Sequence, residues 1–578
     1  MNRDKPLSIR FSRRTQEANR KLGLQKPESG FTGSNVIEIV MEEIMKKLAL
    51  AATRVVGGAL AAALAQTGKP IVAASTEPVS LASGKVSDGG SIFVQDQIYD
   101  RLLEFKPGTT EVEPSLALSI KGNKDSTVWT INLRPGVQFH DNTPLNAAAV
   151  KSNFDFWWDD TRSGFLKSGN AVWPDIFDAY KSGKDPVSLV KSVDVLNSLK
   201  LTVTLSSPMA NFDEIMATGY FGIASPTAIQ KAGEDKYGSP GAGAIGTGPY
   251  IFKSWQTGDR IVLEANKRYW KKGLPKNPGA IVRVIKDTAA RIAELRAGNV
   301  DVLPQGAIPY DNLTALKTDA NVTPVFLPSF NVGYLGLNQA KEFDGKKNPI
   351  ADLKVRQAIA AAVNKKAIVE AFYGENGITN PFLPPLTMEW SYSKNVKDYV
   401  FNPEAAKKLL ADAGYPNGFE MDLWYMPVSR PYYPNAKPIA EAMGRDLAAV
   451  GIKANLKTKD WGAYLDDADA GKLQTFMLGW TGDYNDPDNF YTPLVGAGNV
   501  KETGYDNDKY FALLKTARKA TSKAEKAKYY SQISEILYND IVKLPIVHSK
   551  PMQAKRANLE GWVLSPLGSA FLAEMTVK

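Results

Sequence analysis

The sequence predicts an α/β protein of at least two lobes, and three observations carry that expectation. The chain has 578 residues, 44% of them hydrophobic, which is beyond the size at which a single core keeps growing. Between residues 402 and 480 helical and strand-like segments alternate, the pattern of a mostly parallel sheet with helical crossovers. Two charged residues, Arg430 and Asp483, follow apolar strand-like runs, and open α/β sheets bind ligands just outside the carboxyl ends of their strands.

The first half favours strands. Segments 128–133, 201–205 and 260–264 alternate or run apolar at strand length, between Gly, Pro and Asn signals. The second half opens with Asp352 as the cap of a helix over 353–373. Asn402-Pro403 starts another helix that stops at Gly414, and 419–426 reads as a buried strand. A helix over 436–450 ends at Gly451, followed by strand 452–458, a short helix from Trp461 and strand 473–480. Internal repeats and low-complexity tracts are absent from the sequence.

The formal charge is +9, but residues 1–44 hold +2 of it and residues 45–65 another +3. The remaining +4 is too diffuse to argue for nucleic acid. With no cysteine there is no disulfide framework, thiolate metal site or cysteine nucleophile. Met45-Lys46-Lys47 is followed by an apolar, small-residue stretch, and Ala63-Leu64-Ala65 fits the A-x-A cleavage pattern. Residues 45–65 are therefore read as a secretory signal peptide, its core too short to span a bilayer. Residues 1–44 lack apolar periodicity and are expected to be a non-native extension or a disordered leader, with translation starting at Met45.

Several motifs carry little. Gly241-Ala242-Gly243-Ala244-Ile245-Gly246 satisfies GxGxxG but follows a loop and runs into Pro249, so it lacks the strand and helix of a nucleotide site. The acidic run from Asp483 to Asp488 has Asp488 where a calcium loop needs Gly and Leu494 where it needs Glu. His140 and His548 are the only histidines, too few for a His-based metal cluster or a serine triad. No metal, cofactor or catalytic group is expected.

At Asp483 a carboxylate suits a ligand ammonium, and at Arg430 a guanidinium suits an anion. Taken alone, Asp483 reads more readily as a turn residue bonding its own backbone, and Arg430 as a solvated loop charge. Trp480, Tyr432 and Tyr433 read equally as core aromatics.

Other segments carry a resemblance. Tyr99-Asp100-Arg101-Leu102-Leu103-Glu104-Phe105, Leu133-Arg134-Pro135-Gly136-Val137, Gly246-Thr247-Gly248-Pro249-Tyr250, Asn331-Val332-Gly333-Tyr334-Leu335 and Val355-Arg356-Gln357-Ala358-Ile359 together resemble family 5 of the extracellular solute-binding proteins of peptide ABC importers. The resemblance runs from about residue 90 to the end. It implies a two-lobed periplasmic binding protein fold (type II-like, cluster C) with an extra domain and a hinge crossed twice. It places lobe I in 68–100, 222–328 and 552–578, the extra domain in 101–221, and lobe II, with Arg430 and Asp483, in 329–551.

By resemblance to the dipeptide-binding members, Asp483 of the Trp480-Thr481-Gly482-Asp483 turn pairs with a peptide ammonium. Arg430 pairs with its carboxylate, Tyr432 walls the pocket, and Ser75, Thr76 and Glu77 supply contacts from the N-terminal strand. The implied role is a periplasmic, monomeric, non-enzymatic component that delivers dipeptides to an inner-membrane ABC permease and its ATPase subunits. Clamping both termini would select length, because one more residue adds about 3.5 Å. The same fold carrying longer peptides, haem, opines or oligosaccharides is the nearest alternative. A secreted carboxylate-pair hydrolase is the remote one.

Overall fold

The computed structural model describes residues 68–162, 172–184, 186–304 and 306–578. The expected leader and signal peptide, 1–44 and 45–65, lie outside them. Two large sheets organise the described chain. The first has seven strands in the order Val322–Phe326, Met552–Arg556, Val302–Leu303, Ile71–Ser75, Gly279–Val284, Arg260–Ala265 and Tyr250–Gln256. The second has six, in the order Gly377–Ile378, Lys543–Ser549, Asn331–Leu337, Thr475–Thr481, Phe419–Trp424 and Ile452–Lys457.

The chain passes from the first sheet to the second between Val322–Phe326 and Asn331–Leu337, and returns between Lys543–Ser549 and Met552–Arg556. A separate four-stranded antiparallel sheet, Ala117–Gly122, Val128–Leu133, Lys200–Leu205 and Val190–Asn197, shares one apolar core with the seven-stranded sheet. The six-stranded sheet has a core of its own, so burial defines the two lobes.

Local sequence explains most elements. Helix Ala436–Ala448 buries Ala436, Ile439, Ala440, Met443 and Leu447, a 3.6-residue stripe laid on the sheet. Helix Pro403–Asp412 is capped by Asn402, whose side chain accepts the Ala405 N–H at 3.0 Å. The single helix expected over 353–373 is instead two, Leu353–Ala362 and Lys365–Tyr373. Val363 is extended between them, and Asn364 caps the second by accepting the Ala367 N–H at 3.1 Å. That cap replaces bonds lost at the break.

The second-lobe sheet is parallel over only half its width. Phe419–Trp424 runs parallel to both Ile452–Lys457 and Thr475–Thr481, but Asn331–Leu337 is antiparallel to Thr475–Thr481 and to Lys543–Ser549. Asn331–Leu337 and Lys543–Ser549 are buried at every position. A continuously buried strand carries no alternation from which direction can be read.

Candidate ligand-binding site

The parallel half puts the two predicted charges on one edge. Leu423 pairs with Thr475 and Trp424 with Phe476, so both strands end on the same side of the sheet. Asp483 lies two residues past Thr481, and Arg430 six past Trp424.

The turn after Thr475–Thr481 is built tightly. Gly482 donates its N–H to Phe330 O at 2.9 Å, and a Cβ there would run into the Phe330 ring and come within 2.9 Å of Phe490. Asn489 then organises the turn: its Oδ1 accepts the Asp483 N–H at 2.7 Å and the Trp480 Nε1–H at 3.3 Å. Its Nδ2 donates to Asp483 Oδ2 at 3.2 Å, while the Tyr220 hydroxyl donates to Asp483 Oδ1 at 3.0 Å. Burial pushes the Asp483 carboxyl up to about 6, against the lowering effect of these two hydrogen bonds. Among the described residues no cationic side chain reaches ion-pair distance of Asp483. It is a desolvated carboxylate with donors but, among the described residues, no countercharge.

Arg430 is held differently. Its N–H and C=O exchange hydrogen bonds with Tyr433, both at 3.1 Å, which folds the 430–433 loop back on itself. The guanidinium lies over the Trp461 ring, 4.9 Å from its centroid, and among the described residues it has no acidic partner at ion-pair distance. Ser429 ties this loop to the first lobe, accepting the Ala307 N–H at 3.2 Å and donating to Ala307 O at 2.6 Å. Arg291, buried on the first lobe, is depressed by burial and then by the positive charge of Arg430.

The other predicted residues divide. Tyr432 is buried, edge-on to Tyr433 at 5.8 Å, and its ring occupies the space a Cβ on Gly479 would need. Burial pushes its hydroxyl up to about 12. Trp480 and Thr481 are half-buried at the strand end. On the N-terminal strand, Ser75 is fully buried and Thr76 lies against Gly90. Glu77 is spent within the first lobe, accepting from Trp255 Nε1 and the Gly258 N–H, both at 2.6 Å. Its carboxylate is thereby committed to a hairpin.

A cavity of about 500 Å³ opens beside Asp483, within the usual range of small-molecule sites. Its walls include Ile92, Tyr99, Thr218, Gly219, Leu567 and Phe571. Of the predicted site residues only Asp483 lines this cavity; Arg430 does not. Neither histidine lines it, and each is turned to backbone, His140 to Gly248 O at 2.9 Å and His548 to Phe382 O at 3.0 Å.

Sequence reasoning missed Tyr220, Asn489 and Trp461. Asn489 lies only six residues from Asp483, and Trp461 opens the expected short helix; Tyr220 is 263 residues away and left no local signal.

Residues 111–502, more than half the chain, match the middle region of the bacterial extracellular solute-binding proteins, family 5. The chain is 34% identical to heme-binding protein A of Haemophilus influenzae over 508 residues, 85% of this chain and 89% of that protein. It is also 34% identical to the dipeptide-binding protein of Escherichia coli over 515 residues, 87% and 92%. A solved dipeptide-binding protein from Pseudoalteromonas sp. SM9913, in complex with Met-Leu, superimposes with a TM-score of 0.80 at 28% identity, over 88% of this chain and all of that one. The chain belongs to family 5 of the bacterial extracellular solute-binding proteins. It is a two-lobed binding component of ABC import and not an enzyme.

Proposed function

We propose that the protein binds dipeptides, with Asp483 taking the ammonium and Arg430 the carboxylate, and hands them to an inner-membrane permease. The observation that carries this reading is the Asp483 carboxylate, which is desolvated, hydrogen-bonded by Tyr220 and Asn489, and without a countercharge among the described residues. A ligand cation supplies what is missing there. Arg430 on the same sheet edge supplies the opposite charge, so the ligand is a zwitterion. Haem brings carboxylates but no ammonium, which leaves Asp483 unmatched. The E. coli and Pseudoalteromonas relatives named for dipeptides support the same reading.

In this reading the lobes are 68–100, 222–328 and 552–578 against 329–551, with 101–221 as an added domain. Residues 45–65 are a cleaved signal that delivers a monomer to the periplasm. N-terminal sequencing of the mature protein tests the signal, with a start just past Ala65 expected.

The binding test is calorimetric titration of unfolded-and-refolded, ligand-stripped protein with Ala-Ala, N-acetyl-Ala-Ala and tri-alanine. Tight binding of Ala-Ala alone is expected. Equal binding of all three, or of none, moves the cargo to another solute class.

A further inference from the structure

Tyr220 is the second residue of a short turn, Gly219–Phe221. Packing fixes that turn from both sides. A Cβ on Gly219 would come within 2.6 Å of Ile92 Cγ2 and 3.5 Å of both Arg101 Nη2 and Asp96 Oδ1, so the turn sits directly on the helix Gly89–Ile98 and on the buried Asp96–Arg101 pair. Phe221, fully buried, packs edge-on to Trp157 at 5.2 Å and Trp173 at 6.2 Å. With its neighbours anchored and its own ring 5% exposed, Tyr220 has little rotamer freedom, and its hydroxyl reaches across to Asp483.

A carboxylate has about four lone-pair positions. In Asp483, Tyr220 fills one on Oδ1 and Asn489 one on Oδ2, which leaves acceptor capacity on each oxygen for an ammonium. Thr218 and Gly219 line the same cavity as Asp483, so the turn that presents Tyr220 borders the cavity beside that carboxylate. Asn489 belongs to the lobe of Asp483, whereas Tyr220 closes the added segment 101–221, which shares its apolar core with the first lobe.

We propose that Tyr220 is a positioning residue of the ammonium site: its hydroxyl, presented by the added domain that shares the first lobe's core, orients the Asp483 carboxylate, so the site is complete only when the lobes meet. This rests on the assignment of Asp483 to the ligand ammonium. The consequence is that this hydrogen bond contributes to the coupling between closure and ammonium recognition. A ligand without an ammonium gains nothing from Tyr220.

Tyr220→Phe removes one oxygen and keeps the ring. Three measurements separate its roles. Calorimetry with Ala-Ala is expected to show about a tenfold loss, the range of one hydrogen bond to a charged group, and Tyr220→Phe is expected to add no loss in an Asp483→Asn background. Carboxyl ¹³C NMR of the ligand-free protein is expected to show Asp483 titrating higher in Tyr220→Phe, since a donor to the charged form is gone. Other titratable groups around it are Tyr484 on its own turn and Asp96, Asp100 and Arg101 across the cavity; none is altered by the substitution. An equal loss in both backgrounds, or an unmoved Asp483 titration, overturns the proposal. Undiminished Ala-Ala binding by Asp483→Asn alone overturns the ammonium assignment itself, a separate result.

Discussion

Asp483 is gripped by hydrogen bonds from both lobes, whereas Arg430, on the same sheet edge, lies on the face of Trp461 and is tethered through its backbone and Ser429. The difference follows from chemistry. A carboxylate only accepts, so protein donors can orient it and still leave lone pairs open. A guanidinium only donates, and acceptors strong enough to fix it would neutralise the charge a ligand must meet. Stacking on an aromatic face holds it while leaving its in-plane N–H groups free. Both side chains are half-buried, but only the carboxylate is fixed by side-chain hydrogen bonds, and the substitutions below test whether that grip makes it the stronger end.

The largest effect is expected from Asp483→Asn, which under the proposed assignment would leave a ligand ammonium buried without its charge partner. Ala-Ala affinity should fall by roughly 2 to 5 kcal/mol, read by calorimetry. Arg430→Ala belongs at the lower end, about 2 kcal/mol, because its guanidinium rests on the Trp461 face and is not fixed by side-chain hydrogen bonds among the described residues. A loss from Arg430→Ala exceeding that from Asp483→Asn would invert the comparison.

Gly479→Ala drives a methyl into Val332 O and the Tyr432 ring. It should destabilise the fold by about 1 to 3 kcal/mol in urea melts, and weaken binding through the 430–433 loop more than through Asp483. Trp461→Ala removes the stacking surface under Arg430 and should cost about 0.5 to 1 kcal/mol of Ala-Ala affinity.

Acid probes the Asp483 end directly, because burial pushes its carboxyl up to about 6. Ala-Ala affinity should drop as pH falls through about 6, when Asp483 takes up a proton. Stability has the opposite sign. The folded Asp483 carboxyl holds its proton more tightly than its unfolded counterpart, ordinarily near 3.8. Its contribution to stability is fully present below that value and lost as pH rises through about 6. Urea melts of wild type and Asp483→Asn between pH 4 and 7 should diverge in that window.

Much of this protein was written locally. The caps Asn402 and Asp352, the stripe 436–447 and the strands around 128–133, 419–424 and 475–481 follow from side-chain periodicity and turn chemistry, which act over a few residues. So does the position of Arg430 and Asp483 just past strand ends. The break at Val363, the antiparallel half of the second-lobe sheet and the commitment of Glu77 to Trp255 were decided by tertiary structure. Each depends on a partner or a packing environment that the local sequence does not name. Tyr220 is the clearest case: its hydroxyl meets Asp483 only because two lobes, each built around its own core, bring residues 263 positions apart to hydrogen-bonding distance.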